Sequence, residues 1–294
     1  MTEPTLRLTG QHAVAPPAPR APVTSYRAHG WELRFHGPFE IRMGNFGWQL
    51  SLFHDDVDVT AGHPYLWTVQ SGVRLDLPAR YQPWCAARPV IALHAWDATV
   101  RTYDVVERRD HRHVVGELPR EIQWSPREER LAVTLYRSIV VIDTKGESTV
   151  RIAVSIAPES SAWVFWWPDG EHVLVVSRPA PDAVTQMFLA SATDGRVLAR
   201  TDFDPAVWLP YDADAYRSVS RSGWPLEVGD RPGYGRVHGS LLDSWNRIDF
   251  DPGTRLLRAF AYRPVHGEPP AGGQASCVVA ERGVEVSVEA DLGA

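Results

Sequence analysis

The residues with the greatest potential for chemistry lie in one acidic segment. His54, Asp55, Asp56 and Asp58 fall close together, and His63 follows shortly after them. Clustered carboxylates suit hard cations such as Ca²⁺, and they raise one another's pKa, as a general base requires. The segment departs from the EF-hand loop because the central glycine and final glutamate are missing. A solvated loop whose aspartates cap turns is the alternative, and the sequence favours it.

A second candidate is the predicted strand that carries His94 and Trp96. Residues two apart on a strand face the same side, so this pair could form an imidazole and indole wall of a pocket. A histidine packed between neighbouring sheets is the commoner outcome. Together with His54 and Asp56, the pair could form an active site only if all four side chains met at one end of the fold. No GxSxG elbow and no glycine-rich phosphate loop accompanies them.

The elements that must position these residues follow a fixed repeat. Pro126, Pro168, Pro210 and Pro252 are spaced by 42 residues, and each stands two residues after an aromatic residue. A period of this size is typical of repeat architectures. We interpret the prolines as stops after the first strand of each repeat, and the aromatic residues as packing between neighbouring repeats. Those aromatic residues are Trp124, Trp166, Trp208 and Phe250.

The clearest repeat unit runs from Arg120 to Ile156 and contains four short apolar segments separated by turns. The next unit repeats the plan and has Asp194-Gly195 between two β-runs, which is a strong hairpin signal. The sequence therefore predicts an all-β fold: a single β-propeller of about six four-stranded antiparallel blades, with five or seven as alternatives. Residues 26–294 would form the propeller. Residues 1–25, rich in proline and alanine, are expected to be a flexible tail.

Two of the turn segments resemble those of a known superfamily. The segments WSPREERLA (Trp124–Ala132) and WWPDGEHVL (Trp166–Leu174) resemble the turn between first and second strands of TolB-like and WD-repeat propellers. The Gly-His and Trp-Asp signatures of strict WD repeats are absent, so the TolB-like group is the nearer comparison. This resemblance implies the blade architecture, and it implies no role for any individual residue.

Composition narrows the classes of partner. The formal net charge is −6, which argues against nucleic acid because no basic body drives counterion release. We interpret the arginine-rich basic residues, among which Lys145 is the one lysine, as codon bias from a GC-rich bacterial genome. Cys85 and Cys277 stand far apart without zinc-ligand spacing, and no cofactor motif is present. No signal peptide or membrane span is predicted, so we expect a cytoplasmic location.

Function is expected where the repeat is broken. Three long loops are predicted between second and third strands, on the end face that also holds the blade-to-blade connections: His54–Pro64, Arg178–Val184 and Arg263–Gln274. The sequence favours a non-catalytic cytosolic propeller that binds a protein partner or a small ligand through this face. The alternative is a lyase, cyclase or hydrolase acting on a small molecule in an end-face or channel-mouth pocket. The oligomeric state is left open.

Overall fold

The computed structural model describes residues 3–14, 25–42, 45–63, 69–71, 82–94, 98–145, 148–156, 162–177, 184–203, 216–219, 245–265 and 278–292. These residues form five antiparallel sheets, and they contain no α-helix. The predicted class is confirmed: the chain is all-β and its fold is that of a β-propeller. It divides into two compact units. One comprises Ala21–Pro181 and Phe188–Leu198, and the other comprises Met1–Arg20, Asp182–Met187 and Ala199–Ala294.

The strands are numbered along the chain, and β1 (Thr5–Val14) belongs to the last sheet. Sheet 1 has the order β2-β3-β4-β5, with β6 paired to β4. Its strands are β2 (Ser25–Ala28), β3 (Trp31–Arg42), β4 (Asn45–His54), β5 (Val57–Asp58) and β6 (Val69–Ser71). Sheet 2 contains β7 (Val90–His94), β8 (Thr99–Asp104) and β9 (Arg109–Val114). A single antiparallel bridge joins Trp84 to Ile91 of β7, so Trp84 stands in the place of a first strand.

The next two sheets each have four strands in chain order. Sheet 3 contains β10 (Glu121–Trp124), β11 (Arg130–Thr134), β12 (Ile139–Asp143) and β13 (Ser148–Ile152). Sheet 4 contains β14 (Ala162–Trp166), β15 (His172–Ser177), β16 (Gln186–Ser191) and β17 (Val197–Asp202). Sheet 5 has the order β1-β21-β20-β19, with β18 paired to β21. Its later strands are β18 (Tyr216–Val219), β19 (Trp245–Asp251), β20 (Leu256–Val265) and β21 (Val278–Asp291).

The continuous apolar runs of the sequence arise because sheets 2 and 3 are buried on both faces. On β12, Ile139 and Val141 pack into the core shared with sheet 4, whereas Val140 and Ile142 pack into the core shared with sheet 2. Successive side chains on a strand point to opposite faces, so all four are buried. Burial of each such side chain contributes roughly 1.5–3 kcal/mol.

The turns after the first strands use the repeated sequence phrase. In sheet 3 the Ser125 hydroxyl accepts hydrogen bonds from the backbone N–H groups of Arg127 and Glu128. In sheet 4 the Asp169 carboxylate plays the same part for the N–H groups of Glu171 and His172. Pro126 and Pro168 each lie directly beyond the end of a first strand, where a missing N–H costs no ladder hydrogen bond.

Sheet 1 differs from the expectation in strand order. Its β2–β3 hairpin turns at His29-Gly30, and both residues have positive φ, as a two-residue type I′ turn requires. This turn lacks the proline phrase, so the first hairpin was missed. The strand that ends at His54, β4, is therefore the third strand of the sheet, and the segment after His54 connects third and fourth strands. That places it at the opposite end of the sheet from the predicted one.

Sheet 5 also differs from the expectation. A four-stranded last blade would place its third and fourth strands in the segment after Cys277, but β21 is one strand of 14 residues. The fourth position is taken by β1, which pairs with β21 from Thr5↔Asp291 to Val14↔Gly283. Residues 5–14 thus form a strand within the segment expected to be a flexible tail. The reason is local alternation: Leu6 is buried between exposed Thr5 and Arg7, and the cluster of prolines from Pro16 to Pro22 follows the strand.

One predicted blade falls largely outside the described residues. Trp208 and Pro210 belong to it, and they lie outside the part of the chain that the structure describes. The corresponding residues of sheet 5, Phe250 and Pro252, are described: Phe250 is buried on β19, and Pro252 begins the turn to β20.

Candidate functional site

The predicted acidic segment forms a tight hairpin turn. Asp55 and Asp56 both have positive φ, and they connect β4 to β5 as a second type I′ turn, with His54 opposite Val57. Their carboxylates are about four-fifths exposed, at 80 % for each. The Asp55 N–H donates to the carbonyl of Gly30, 3.2 Å away, which ties this turn to the β2–β3 turn. These two aspartates therefore serve turn geometry in a solvated position.

Asp58 and His63 occupy different environments. An Asp58 carboxylate oxygen accepts a hydrogen bond from the Thr60 N–H at 2.9 Å, and hydrogen bonds from Thr60 hold the pKa of Asp58 below its usual range. His63 is buried, and its Nδ1 lies 2.8 Å from the Tyr103 hydroxyl. Burial, followed by the charge of Arg108, lowers the pKa of His63. Its neutral form is thus favoured.

Aromatic rings surround His63. The Trp31 ring meets the His63 ring edge-on at 5.8 Å between centroids, and it stacks on the His54 ring at 4.2 Å. The Tyr103 ring completes the packing at 5.8 Å from His63. These contacts bind sheet 1 to sheet 2. Within the described residues, no group of three or more His, Cys, Asp and Glu side chains is arranged to hold a metal ion.

The backbone register separates the second candidate pair from the first. His94 ends β7 opposite Val100, whereas Tyr103, which contacts His63, lies three residues further along β8. At 3.2–3.4 Å per residue this is a displacement of about 10 Å along the strand. Trp96 lies outside the described residues, as does the side chain of His94. The described backbone does not bring His94 to the end of the sheet that holds His54 and His63.

Glu32 is a buried carboxylate that was not singled out from the sequence. Glu32 on β3 accepts hydrogen bonds from Arg34 at 2.7 and 3.0 Å, and from Arg27 and Ser25. The Arg34 hydrogen bond, supported by those from Ser25 and Arg27, lowers the pKa of Glu32 to about 2. A carboxylate that is ionised and fully paired is a poor general base. Its role is to hold neighbouring strands of sheet 1.

The feature best suited to recognition is an open groove at the end of sheets 2 and 3 that lies away from the contact between His63 and Tyr103. It has a volume of about 410 Å³ and is lined by Glu117, Leu118, Tyr136 and Arg137. We call it the Leu118–Tyr136 groove. Leu118 is 39 % exposed and Tyr136 is 58 % exposed. Val114, at the end of β9 and four residues before Leu118, is 75 % exposed.

Two backbone connections build this groove. Leu118 lies in the link between β9 and β10, and Tyr136-Arg137 forms the turn between β11 and β12, which the Leu135 N–H closes on the Ser138 carbonyl at 2.8 Å. Glu117 joins the two connections: its carboxylate accepts hydrogen bonds from the Arg137 N–H at 2.9 Å and from the Ser138 hydroxyl at 3.1 Å. The groove therefore has a fixed backbone frame.

The surroundings of the groove are rich in arginine. The Arg120 guanidinium lies over the Tyr136 ring at 5.0 Å from its centroid, and Arg151 lies 3.9 Å from the Glu117 carboxylate. Of the residues that the structure describes, none forms an ion pair with Arg137. Glu121 is the next carboxylate along the chain after Glu117, and it accepts a hydrogen bond from the Gln123 side chain at 3.2 Å. Three guanidinium groups thus accompany the single carboxylate that lines the groove.

The sequence did not predict this groove, because function was expected in long loops and the unit from Arg120 to Ile156 has a tight turn here. One signal was available. Tyr136 and Arg137 occupy a two-residue turn where glycine, asparagine or aspartate is common. Nothing in the sequence places Leu118 next to them, since that contact depends on how sheets 2 and 3 pack.

A second, smaller cavity lies at the ends of the first strands of sheets 1 to 3. Its volume is about 230 Å³, and Trp84, Cys85, Trp124 and His29 are among its lining residues. The polar groups around it have partners: His29 Nε2 bonds the Cys85 carbonyl at 2.9 Å, and each indole N–H donates to a backbone carbonyl. Burial raises the pKa of the Cys85 thiol, so the reactive thiolate is disfavoured.

Comparisons with known proteins add no family. No protein-family model matches the chain, and no curated protein matches it. Among solved structures, it is similar to dihydro-heme d1 dehydrogenase NirN in complex with DHE, with 12 % identity and a TM-score of 0.35 over 57 % of this chain. The match covers 37 % of that chain, little more than a third of its length. Kluyvelomyces marxianus Hsv2 matches at 8 % identity and a TM-score of 0.37, over 88 % of this chain and 70 % of that one.

Proposed function

We propose that this protein is a non-catalytic β-propeller that binds a protein partner through the Leu118–Tyr136 groove. The observation that carries the proposal is the exposure of Leu118 and Tyr136 beside Arg137, at one end of two packed sheets. Tyrosine and arginine are enriched among the residues that dominate binding energy, and apolar surface needs a partner to cover it. A rigid frame limits the ordering cost of association.

The proposal also includes the type of propeller and the location of the protein in the cell. The TolB-like type is supported by the Ser125 and Asp169 turns, which follow the Trp-x-Pro phrase in two sheets. A cytoplasmic location is supported by Cys85, a buried free thiol that suits a reducing compartment. The enzyme alternative lacks support because Asp55 and Asp56 are turn residues and His94 lies at the other end of β7 from the His63 cluster.

The test compares two matched double variants. Leu118→Ala with Tyr136→Ala removes the apolar groove, whereas Val57→Ala with Val106→Ala removes two other exposed apolar side chains, each 63 % exposed. Affinity-tagged wild type and both variants are used to recover partners, which are quantified by mass spectrometry. We expect the groove variant to lose a specific partner by roughly tenfold or more, since a truncated anchor residue costs above about 1 kcal/mol.

The control variant should retain that partner at the wild-type level, and thermal melts should show that both variants fold. Equal recovery by the groove variant and the wild type, or an equal loss in both variants, contradicts the proposal.

A further inference from the structure

We infer that the Leu118–Tyr136 groove recognises an acidic peptide segment that carries an apolar or aromatic anchor residue. This inference rests on the proposed function and names the chemistry of the partner. It follows from the pairing of the groove's apolar floor with a surplus of positive charge around it.

The anchor is indicated by the side chains of the floor. Tyr136 and Leu118 are the apolar lining, and the volume of about 410 Å³ admits a large side chain. The Arg120 guanidinium already lies over one face of the Tyr136 ring. An incoming apolar side chain would cover the remaining exposed surface of Tyr136 and Leu118, which is the desolvated centre that interfaces require.

The acidic character of the segment is indicated by the charge around the floor. The Glu117 carboxylate accepts hydrogen bonds from the Arg137 N–H and the Ser138 hydroxyl, and Arg151 lies 3.9 Å away. These groups partly compensate its negative charge. Arg137 lines the groove, and the Arg120 guanidinium lies over the Tyr136 ring. A carboxylate of the partner would gain charge-assisted, bidentate hydrogen bonds from a guanidinium, whereas a lysine or arginine of the partner would be repelled.

A second copy of this chain is the weaker alternative as the occupant. The chain carries a net charge of −6 and could offer acidic surface, but the exposed carboxylates at Asp55 and Asp56 stand beside Arg27, which lies 3.3 Å from Asp56. A separate acidic segment therefore fits the groove better than a copy of the protein.

The experiment uses fluorescein-labelled peptides of equal length in anisotropy titrations with the whole protein. One peptide has a tryptophan flanked by glutamates, the second has the same tryptophan flanked by lysines, and the third has alanine in place of tryptophan among the glutamates. We expect the acidic tryptophan peptide to bind roughly tenfold or more tightly than either of the others, with affinity falling as salt rises.

Two charge reversals complete the test. Arg137→Glu should weaken binding of the acidic tryptophan peptide about tenfold, because it replaces an attraction with a repulsion. Arg109→Glu, at the opposite end of sheet 2 and 70 % exposed, should leave binding unchanged. Equal affinity for acidic and basic peptides, or equal effects of the two reversals, overturns the inference. Concentration-dependent dimerisation that the groove double variant abolishes would also overturn it, in favour of a second copy as the occupant.

The failure of this inference differs from the failure of the proposed function. The groove double variant could lose a specific protein partner while the wild type shows no preference for the acidic peptide. That result would support protein binding at the groove and would contradict only the acidic character of the partner.

Discussion

At the scale of single residues, three tryptophans join neighbouring sheets in the same way. The indole N–H of Trp84 donates to the Tyr26 carbonyl at 2.9 Å, that of Trp124 to the Pro83 carbonyl at 2.7 Å, and that of Trp166 to the Gln123 carbonyl at 3.0 Å. Each acceptor lies on or beside the first strand of the preceding sheet. A buried indole thus supplies both apolar contact and a hydrogen bond to the backbone of the preceding sheet.

This geometry predicts a graded loss of stability at Trp124. Trp124→Phe should lower the free energy of unfolding by about 0.5–1.5 kcal/mol, because the indole hydrogen bond is lost while the Pro83 carbonyl keeps the Ala92 N–H and most apolar contact remains. Trp124→Ala should lower it by about 3–5 kcal/mol, because a cavity is added. Chemical denaturation of both variants measures the difference.

Tyr136→Ala is the matched exposed aromatic, and it should change the free energy of unfolding by less than about 1 kcal/mol. Equal losses at Trp124 and Tyr136 would argue that Trp124 is not an inter-sheet contact.

His63 predicts a dependence of stability on pH. Burial lowers its pKa in the folded protein, so the unfolded chain binds the proton more readily. The contribution of His63 is therefore complete above the ordinary imidazole pKa of 6.5, and it is lost as pH falls below that value toward the folded pKa. The wild type should lose more unfolding free energy than His63→Gln between about pH 7.5 and about pH 5.5. Parallel pH profiles for the two proteins would contradict this account.

At the scale of elements, the Asp194-Gly195 turn shows how a hairpin of one sheet meets the next. The Gly195 carbonyl accepts a hydrogen bond from the Ala153 N–H at 2.9 Å, just beyond the end of β13. A Cβ at Gly195 would lie 2.1 Å from the Arg151 carbonyl oxygen, and the residue has a φ of +74°. Glycine is needed here for its close approach as well as for its backbone conformation.

Gly116→Ala provides the control for Gly195→Ala. Gly116 has a φ of +80°, but a Cβ there meets nothing within 4 Å. We expect Gly116→Ala to cost about 1–2 kcal/mol, from backbone strain alone. Gly195→Ala should cost clearly more, because strand β13 or the turn must also move. Thermal and chemical unfolding of the two variants would show similar losses if the close contact had no energetic weight.

The accuracy of the sequence predictions at this scale depended on local turn chemistry. In sheets 3 and 4 the proline after each tryptophan and the Asp-Gly pair marked the strand ends, and the strands were found near the predicted positions. Sheet 1 was misassigned because its His29-Gly30 and Asp55-Asp56 turns follow a different chemistry. The strand β1 was missed because its partner, β21, lies more than 260 residues away in sequence, from Val14 to Gly283 at the nearest. Pairing at such separation leaves no local signal.

At the scale of the whole molecule, charge and recognition are distributed unevenly. The chain carries a net charge of −6, yet arginine predominates around the Leu118–Tyr136 groove. The average charge argues against nucleic acid as a partner, but it does not reveal a local surplus of positive charge. The groove itself joins Leu118 to Tyr136, which belong to different connections. Its existence depends on the packing of sheets 2 and 3, and no periodic pattern encodes that.

The central claim is that a protein partner occupies the Leu118–Tyr136 groove. The most direct measurement places a photo-crosslinking amino acid at position 136 and, in a second protein, at position 106. Val106 is a suitable reference because it is 63 % exposed in the turn between β8 and β9. We predict a discrete crosslinked partner from position 136, competed by the acidic tryptophan peptide, and none from position 106. The same crosslinked proteins from both positions, or none from position 136, would contradict the account.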